Sequence, residues 1–407
     1  MSEQDENLKA IAQELIDADK KVQLIYAFNG SGKTRLSRAF RELINGGSDA
    51  EEAEPVLRKM LYYNAFTEDL FFWDNDLLED SEPKLKIQPN DFTFWILNDQ
   101  GQELNITRNF QRYTNDKLTP SFNQEYRTSD LQGNEIVVPA LSEVTFSMET
   151  GGDGASGILK LSKGEESNFI WSFFYALLNE VVSIFEEQDP SERENEQFND
   201  LRYVFIDDPV SSLDDPHLIE LAVDLAQLIK SCESDLKFVI TTHNPLFYNV
   251  LHNELKNPFQ KDRDGVPVTT YKPKQSARWR LEKLADGTFT LIKQDGRTPF
   301  SYHLLLLSEL KAAIATEQLQ KYHFNFLRNV LEKTATFLGY QKWGDLLPQV
   351  NGAPDPFAAR IINLSSHSAH SGDEVAQLEA NDKEKLVELV EYLFAHHHFR
   401  EQEAQDG

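Results

Sequence analysis

Ala27-Phe28-Asn29-Gly30-Ser31-Gly32-Lys33-Thr34 decides how this chain is read. The apolar run Val22-Gln23-Leu24-Ile25-Tyr26 ahead of it predicts a buried strand. Arg35-Leu36-Ser37-Arg38-Ala39-Phe40 behind it predicts the first turns of a helix. Strand, glycine-rich turn, Gly-Lys-Thr and helix together make the phosphate-cradling loop of P-loop NTPases. Gly30 and Gly32 let the backbone N–H groups around Asn29 and Ser31 close on phosphates, and the helix N-terminus adds the positive end of its dipole. Lys33 is placed to reach the β- and γ-phosphates, and Thr34 to hold Mg²⁺. Ala27 stands where the usual first glycine would be.

Partner motifs follow in order. Leu161-Ser162-Lys163-Gly164-Glu165 is similar to the LSGGQ signature of ABC-type ATPases and opens the apolar helix around Phe169-Ile170-Trp171. Ser162 and Gly164 are its candidate nucleotide contacts. Tyr203-Val204-Phe205-Ile206-Asp207-Asp208 is an apolar strand ending in two carboxylates, the Walker B pattern. Asp207 is expected to hold Mg²⁺ through water. Asp208 takes the place of the glutamate that orients the attacking water, one methylene shorter. Ser211-Ser212-Leu213-Asp214 reads as a D-loop, with Asp214 as a nucleotide contact. Phe238-Val239-Ile240-Thr241-Thr242-His243 is a further strand that ends in a switch histidine, His243. In ABC-type heads the signature serine caps the nucleotide bound to the other protomer. A chain with one P-loop and one signature is therefore expected to work as a head-to-tail dimer or a higher oligomer.

Composition narrows the class. Mean hydropathy is −0.49 and no stretch reaches membrane-spanning length, which argues against a transporter with fused membrane domains, and no membrane partner is expected. The acidic N-terminus, Met1-Ser2-Glu3-Gln4-Asp5-Glu6, has no signal-peptide character, and the one cysteine, Cys232, offers no disulfide framework; the expected location is the cytoplasm. No long heptad array separates Thr34 from Leu161, so the head carries no coiled-coil arm of the SMC type. The 407 residues suffice for two domains. The acidic stretches 47–54 and 186–192 read as exposed loops.

The net charge of −27 argues against broad nucleic-acid binding but leaves room for a local basic site. Lys256, Lys261, Arg263, Lys272, Lys274, Arg278, Arg280 and Lys283 cluster with Tyr271 and Trp279. That segment reads either as an RNA-binding surface or as a flexible basic linker between domains. Beyond about residue 266 there is no second NTPase motif. Gly287-Thr288-Phe289-Thr290-Leu291-Ile292 predicts a strand, and from Tyr302 onward the pattern is helical. Arg328 and Glu332 share one helix face at i,i+4, either as an ordinary ion pair or as a working one. His367, amid serines after an apolar turn, reads as an exposed, tunable imidazole. A zinc site of His367 with His370 lacks a completing ligand set. The expected fold is α/β: an ABC-type P-loop ATPase head over residues 1–265 and a mostly helical domain over 266–407.

The sequence resembles the PrrC-type anticodon nucleases, bacterial ABC-ATPase ribonucleases. The likeness runs through Gln23 to Gly30, Leu61-Tyr62-Tyr63-Asn64-Ala65-Phe66-Thr67-Glu68-Asp69-Leu70, Leu161 to Trp171, Asp207 to Asp215, and the helix around Arg328 and Glu332. It implies that residues 266–407 are a ribonuclease domain whose catalytic Arg–Glu–His triad falls on Arg328, Glu332 and His367. A likeness to HEPN-type RNases would instead pair Arg360 with His367. The resemblance also implies tRNA, usually a lysine tRNA, as the substrate, cut in its anticodon loop without metal. Lys293, Asp295, Ser301 and Tyr302 fall in the implied anticodon-reading region. As ligands it implies ATP or GTP with Mg²⁺ and dTTP as a stabilising nucleotide, and as silencing partner a type I restriction–modification complex, in an antiviral, abortive-infection setting. Two rival readings stay open: a RecF- or SMC-like DNA-repair ATPase, and a sensor ATPase acting through a separate nuclease.

Overall fold

The computed structural model describes residues 3–45, 59–64, 70–74, 83–88, 91–129, 133–148, 157–187, 189–193, 195–209, 213–263, 265–284, 286–294, 302–350, 353–356, 380–397 and 399. They fall into two compact units, Met1–Pro299 and Phe300–Gly407.

The first unit is built on a six-stranded sheet. Helix α1 (Glu3–Asp17) leads into β1 (Val22–Ala27), and α2 (Lys33–Asn45) follows the P-loop. Strands β2 (Met60–Asn64), β10 (Tyr203–Asp207) and β11 (Lys237–Thr242) run parallel to β1 in the order β1-β11-β10-β2. Every residue of β1 and β10 is buried, as expected for parallel strands covered on both faces. On one face Leu8, Ile11 and Leu15 of α1 and Phe40 of α2 pack with Phe205, Trp279 and Phe289.

A second, antiparallel sheet joins β3 (Phe71–Asp74), β4 (Lys84–Ile87), β8 (Glu143–Met148) and β5 (Leu118–Phe122). Helix α5 (Lys163–Ile184) links the two sheets. Its Trp171 and Phe174 meet Tyr63 of β2 at ring-centroid distances of 5.2 and 4.6 Å. Its Phe169 meets Phe71 and Phe146 at 6.0 and 5.1 Å. Contact on both sides explains why the α5 sequence is apolar around much of its circumference.

The sequence reading ends the head too early. Strand β14 (Ser276–Lys283) runs parallel to β1, pairing Leu24 with Arg278 and Ala27 with Leu281, and β15 (Phe289–Lys293) adds antiparallel to it. The boundary therefore lies at 299/300, not 265/266. The basic segment 256–283 is likewise no flexible linker. It forms the hairpin β12 (Phe259–Arg263) and β13 (Val266–Tyr271), then β14, with Ala277, Trp279 and Leu281 buried in the core. Several of its charges are already engaged, Lys261 with Glu186 at 2.7 Å and Arg263 with Glu233 at 2.7 Å.

The second unit is mostly helical. Helices α8 (Tyr302–Ala315), α9 (Tyr322–Leu338) and α10 (Ala380–His397) bury Leu306, Leu310, Leu327, Leu331, Leu386 and Leu389. Gly339 ends α9 at φ 77°, the left-handed cap that glycine adopts without a Cβ penalty. Among the described residues no helix is long and apolar enough to cross a membrane.

Candidate nucleotide site and the helix α9 face

β1 ends at Ala27 and the chain turns at once into the loop that feeds α2. Gly30 and Gly32 hold φ of 78° and 87°, which their lack of a Cβ permits. At Gly32 a Cβ would also lie 2.7 Å from the Phe289 ring, so β15 packs directly on the loop. Asn29, Gly30, Gly32, Lys33, Thr34, Arg35, Asp207 and Asp208 enclose a cavity of about 330 Å³, in the range of small-molecule sites.

Lys33 folds back over the loop. Its Nζ donates to the carbonyls of Ala27 and Phe28 at 3.3 and 3.2 Å and to Asn29 Oδ1 at 3.3 Å, and lies 3.4 Å from Asp208 Oδ2. Thr34 Oγ1 donates to Asp207 Oδ2 at 2.9 Å. The loop positions, Lys33, Thr34 and the two strand-end carboxylates thus come together as the sequence predicts. A hydroxyl bonded to a carboxylate at the loop-to-helix junction is a donor pair that suits Mg²⁺, and the cradle suits phosphates.

The two carboxylates differ. Burial drives the Asp207 carboxyl above the ordinary carboxylate range, against hydrogen bonds from Thr241 and Thr34. Burial pushes Asp208 the same way, but the His243 hydrogen bond and the Lys33 charge outweigh it, so its pKa falls. Asp208 is also the junction residue. It sits at φ 54°, uncommon for a non-glycine residue, and its N–H donates to Thr241 O at 3.0 Å. His243 grips it twice, through its backbone N–H at 3.2 Å and through Nδ1 at 2.5 Å.

Three contributors were missed by sequence reasoning. Tyr62 from β2 donates to Asp207 at 3.3 Å, Thr241 donates to the same carboxylate, and Thr242 donates to Asp208 at 3.3 Å. The two threonines stand directly before His243 in the quoted strand, where strand ends gather polar groups. Tyr62 had no such signal, because only the β2–β10 pairing brings it to Asp207.

The signature region stands apart from this cavity. Ser162 is the N-cap of α5: its side chain accepts from the Glu165 N–H at 3.3 Å, and Glu165 returns the bond to the Ser162 N–H at 2.7 Å. Ser162 is exposed and Gly164 half-buried. Asp214 is exposed at the start of α6 (Asp215–Ser231), with its carboxylate against His217. Neither residue lines the cavity of its own P-loop.

In the second unit Arg328 Nε donates to Glu332 Oε1 at 2.8 Å across one turn of α9. The guanidinium also lies over the Trp343 ring, 5.8 Å from its centroid. Lys293 ends β15 in the first unit, and Tyr302 opens α8 in the second. His367, Asp295 and Ser301 lie outside the described residues, as do Arg360, His370, Ser211 and Ser212.

Comparison with known proteins places the chain. An Escherichia coli protein named anticodon nuclease is 51% identical over 399 residues, covering 95% of this chain and 92% of its own. The chain belongs to the anticodon nuclease family. A family model described as an AAA domain also matches residues 148–395. As a family member the chain is an enzyme that joins a nucleotide-hydrolysing P-loop head to a nuclease. Two solved SMC heads align more distantly. One, bound to the C-winged helix domain of ScpA, is 12% identical with a TM-score of 0.30, over 68% of this chain and 90% of its own. The other, from Thermotoga maritima, is 11% identical with a TM-score of 0.27, over 68% and 91%. At those scores neither bears on the reading.

Proposed function

We propose that this anticodon nuclease family member cuts a tRNA in its anticodon loop, a lysine tRNA in the first instance, under control of nucleotide bound to its head. The observation that carries the reading is the Arg328–Glu332 pair on α9, in a unit separate from the nucleotide cavity, within a chain 51% identical to an anticodon nuclease. RNA carries its own nucleophile, the 2′-OH. A base removes its proton, an acid protonates the leaving 5′-oxygen, and a cation steadies the charged phosphorane. Arg328 fits the last role, since a planar guanidinium matches phosphate oxygens. Glu332 and His367 supply the base and acid. The products are then a 2′,3′-cyclic phosphate and a 5′-OH, and no step calls for a metal.

In the head, Asn29 to Thr34 hold the phosphates of ATP or GTP, and Thr34 with Asp207 hold Mg²⁺, which neutralises phosphate charge when bound. Asp208, kept ionised by His243 and Lys33, orients the attacking water, and His243 reports the γ-phosphate. The exposed, capped Ser162 and the exposed Asp214 suit contact with the nucleotide of a second, head-to-tail copy. A type I restriction–modification complex as silencing partner, and dTTP as a stabilising ligand, belong to the same reading.

Purified protein with total tRNA is the test. Cleavage by the single polypeptide, persisting in EDTA once the nuclease is active and leaving cyclic-phosphate ends, is the expected result. DNA-stimulated nucleotide hydrolysis without any RNA cleavage would point to a repair ATPase instead. Silence until another subunit is added would point to a sensor.

A further inference from the structure

The P-loop cavity lies at the C-terminal end of β1. A much larger groove, about 1070 Å³, lies at the opposite end of the same strands. Lys21 precedes β1, Lys59 precedes β2, Arg202 precedes β10, Lys237 opens β11, and Lys274 stands two residues before β14; Lys20 joins them. Six basic side chains thus face three acidic ones, Asp19, Glu233 and Asp235, in a chain whose net charge is −27. The parallel order of the sheet produces this gathering, because it lines up the residues that precede each strand.

Two of the three acids are already committed. Asp19 is bound by Lys237, and Glu233 is held by Arg263 at 2.7 Å. The ammonium groups of Lys20, Lys21 and Lys59 instead donate to backbone carbonyls, those of Lys274, Ser234 and Ile44, at 3.1, 3.0 and 3.4 Å. A carbonyl accepts a hydrogen bond without cancelling the charge, and each ammonium keeps further donors. The Lys21 ammonium is held below the ordinary lysine range by burial, although Cys232, Asp235 and Glu233 act in the other direction. The groove therefore holds positive charge that the surrounding protein leaves partly uncompensated.

We infer that this groove binds the phosphate backbone of the RNA substrate outside the anticodon loop. The inference rests on the tRNA reading above. A strongly acidic chain repels RNA at long range, so RNA must be met where positive charge is concentrated. Lysines act as point charges for phosphate, and the one aromatic among the described residues lining the groove, Tyr203, is buried, so the groove positions without reading sequence. Its volume is about three times that of the nucleotide cavity.

The test uses the full chain with Lys59→Gln, Arg202→Gln and Lys274→Gln combined. Binding is measured against salt for a whole tRNA and for its isolated anticodon stem–loop. The variant should bind whole tRNA at least about ten-fold more weakly, with the salt slope reduced by about two to three. Stem–loop cleavage and nucleotide hydrolysis should stay at the parent rates. Unchanged whole-tRNA affinity and slope would overturn the inference, and so would an equal loss for the stem–loop. Tripolyphosphate that binds the parent and not the variant, while RNA binding is the same in both, would make the groove a small-anion site and overturn it too. If the parent binds tRNA through the groove but cleaves no RNA, the nuclease reading fails and the groove assignment stands.

Discussion

Asp207 and Asp208 are adjacent, buried and opposite in character. Asp207 has its folded pKa raised, so the stability tied to its protonated form is present in acid and is lost as pH rises through that pKa. At neutral pH its charge therefore costs stability when Mg²⁺ is absent. Asp207→Asn should melt about 2 °C or more above the parent at pH 7 without metal or nucleotide, the gap closing as pH falls into the ordinary carboxylate range. A variant that melts lower across the whole range would show that the Thr34, Thr241 and Tyr62 bonds outweigh the desolvation. Asp208 behaves in the opposite sense: its lowered pKa contributes stability that is lost only as pH falls below the usual carboxylate value. Asp208→Asn should still bind nucleotide while slowing hydrolysis about a hundred-fold or more, the scale of losing a positioned base. Lys33→Ala should abolish phosphate-dependent nucleotide binding, because its ammonium is the cation folded over the phosphate loop, on Ala27 O, Phe28 O and Asn29 Oδ1. Hydrolysis by Asp208→Asn at the parent rate, or nucleotide binding by Lys33→Ala at parent affinity, would remove these roles.

Neighbouring elements hold the P-loop in place. β15 presses Phe289 onto Gly32, and α1 holds the adjoining turn, since Arg35 is bonded to Asp5 at 2.9 Å and to Gln4 at 3.1 Å. Gly32→Ala must adopt φ 87° and collide with an aromatic ring, so it should lose about 1–3 kcal/mol of stability together with nucleotide binding. The N-terminus of α5 offers a finer test. Ser162→Ala removes a capping box and should cost about 1 kcal/mol, which would confuse any dimerisation assay. Ser162→Asp keeps a competent cap and puts negative charge at the point expected to meet a partner's phosphates. It should leave the melting temperature near that of the parent and abolish nucleotide-dependent dimerisation in analytical ultracentrifugation. Dimers that form as readily as the parent's would sink the cross-protomer role of the signature.

At the scale of the whole molecule, the nucleotide cavity and the Arg328–Glu332 pair lie in separate units, and the proposed function divides hydrolysis and RNA cleavage between them. Arg328→Ala and Glu332→Ala should each lose RNA cleavage by about a hundred-fold or more and keep nucleotide hydrolysis within about two-fold. Arg328→Lys should not rescue, since an ammonium cannot reproduce the guanidinium fork or its stacking on Trp343. Parallel loss of hydrolysis would mean that the substitutions damage the fold instead. Nucleotide can govern cleavage only through a state that it binds better than the alternative. The proposed head dimer is such a state, because Ser162 lies apart from the cavity of its own chain.

Much of this was legible in the sequence. The P-loop, Walker B and signature are local patterns: each depends on a glycine conformation, a strand end or a helix cap fixed within a few residues. The i,i+4 pairing of Arg328 and Glu332 is equally local, set by the helical repeat. What the sequence could not decide came from pairings between distant segments. Nothing near residue 280 says that β14 lies against β1, so a core strand bearing Arg278 and Arg280 reads either as an RNA-binding surface or as a basic linker. Tyr62 joins Asp207 only through strand pairing, and Lys21, Lys59 and Arg202 form a groove only because parallel order aligns their strands. Spacing along the chain fixes hydrogen bonds of short loop length. Long-range partners are chosen by burial of whole faces, and that choice is made by the tertiary structure.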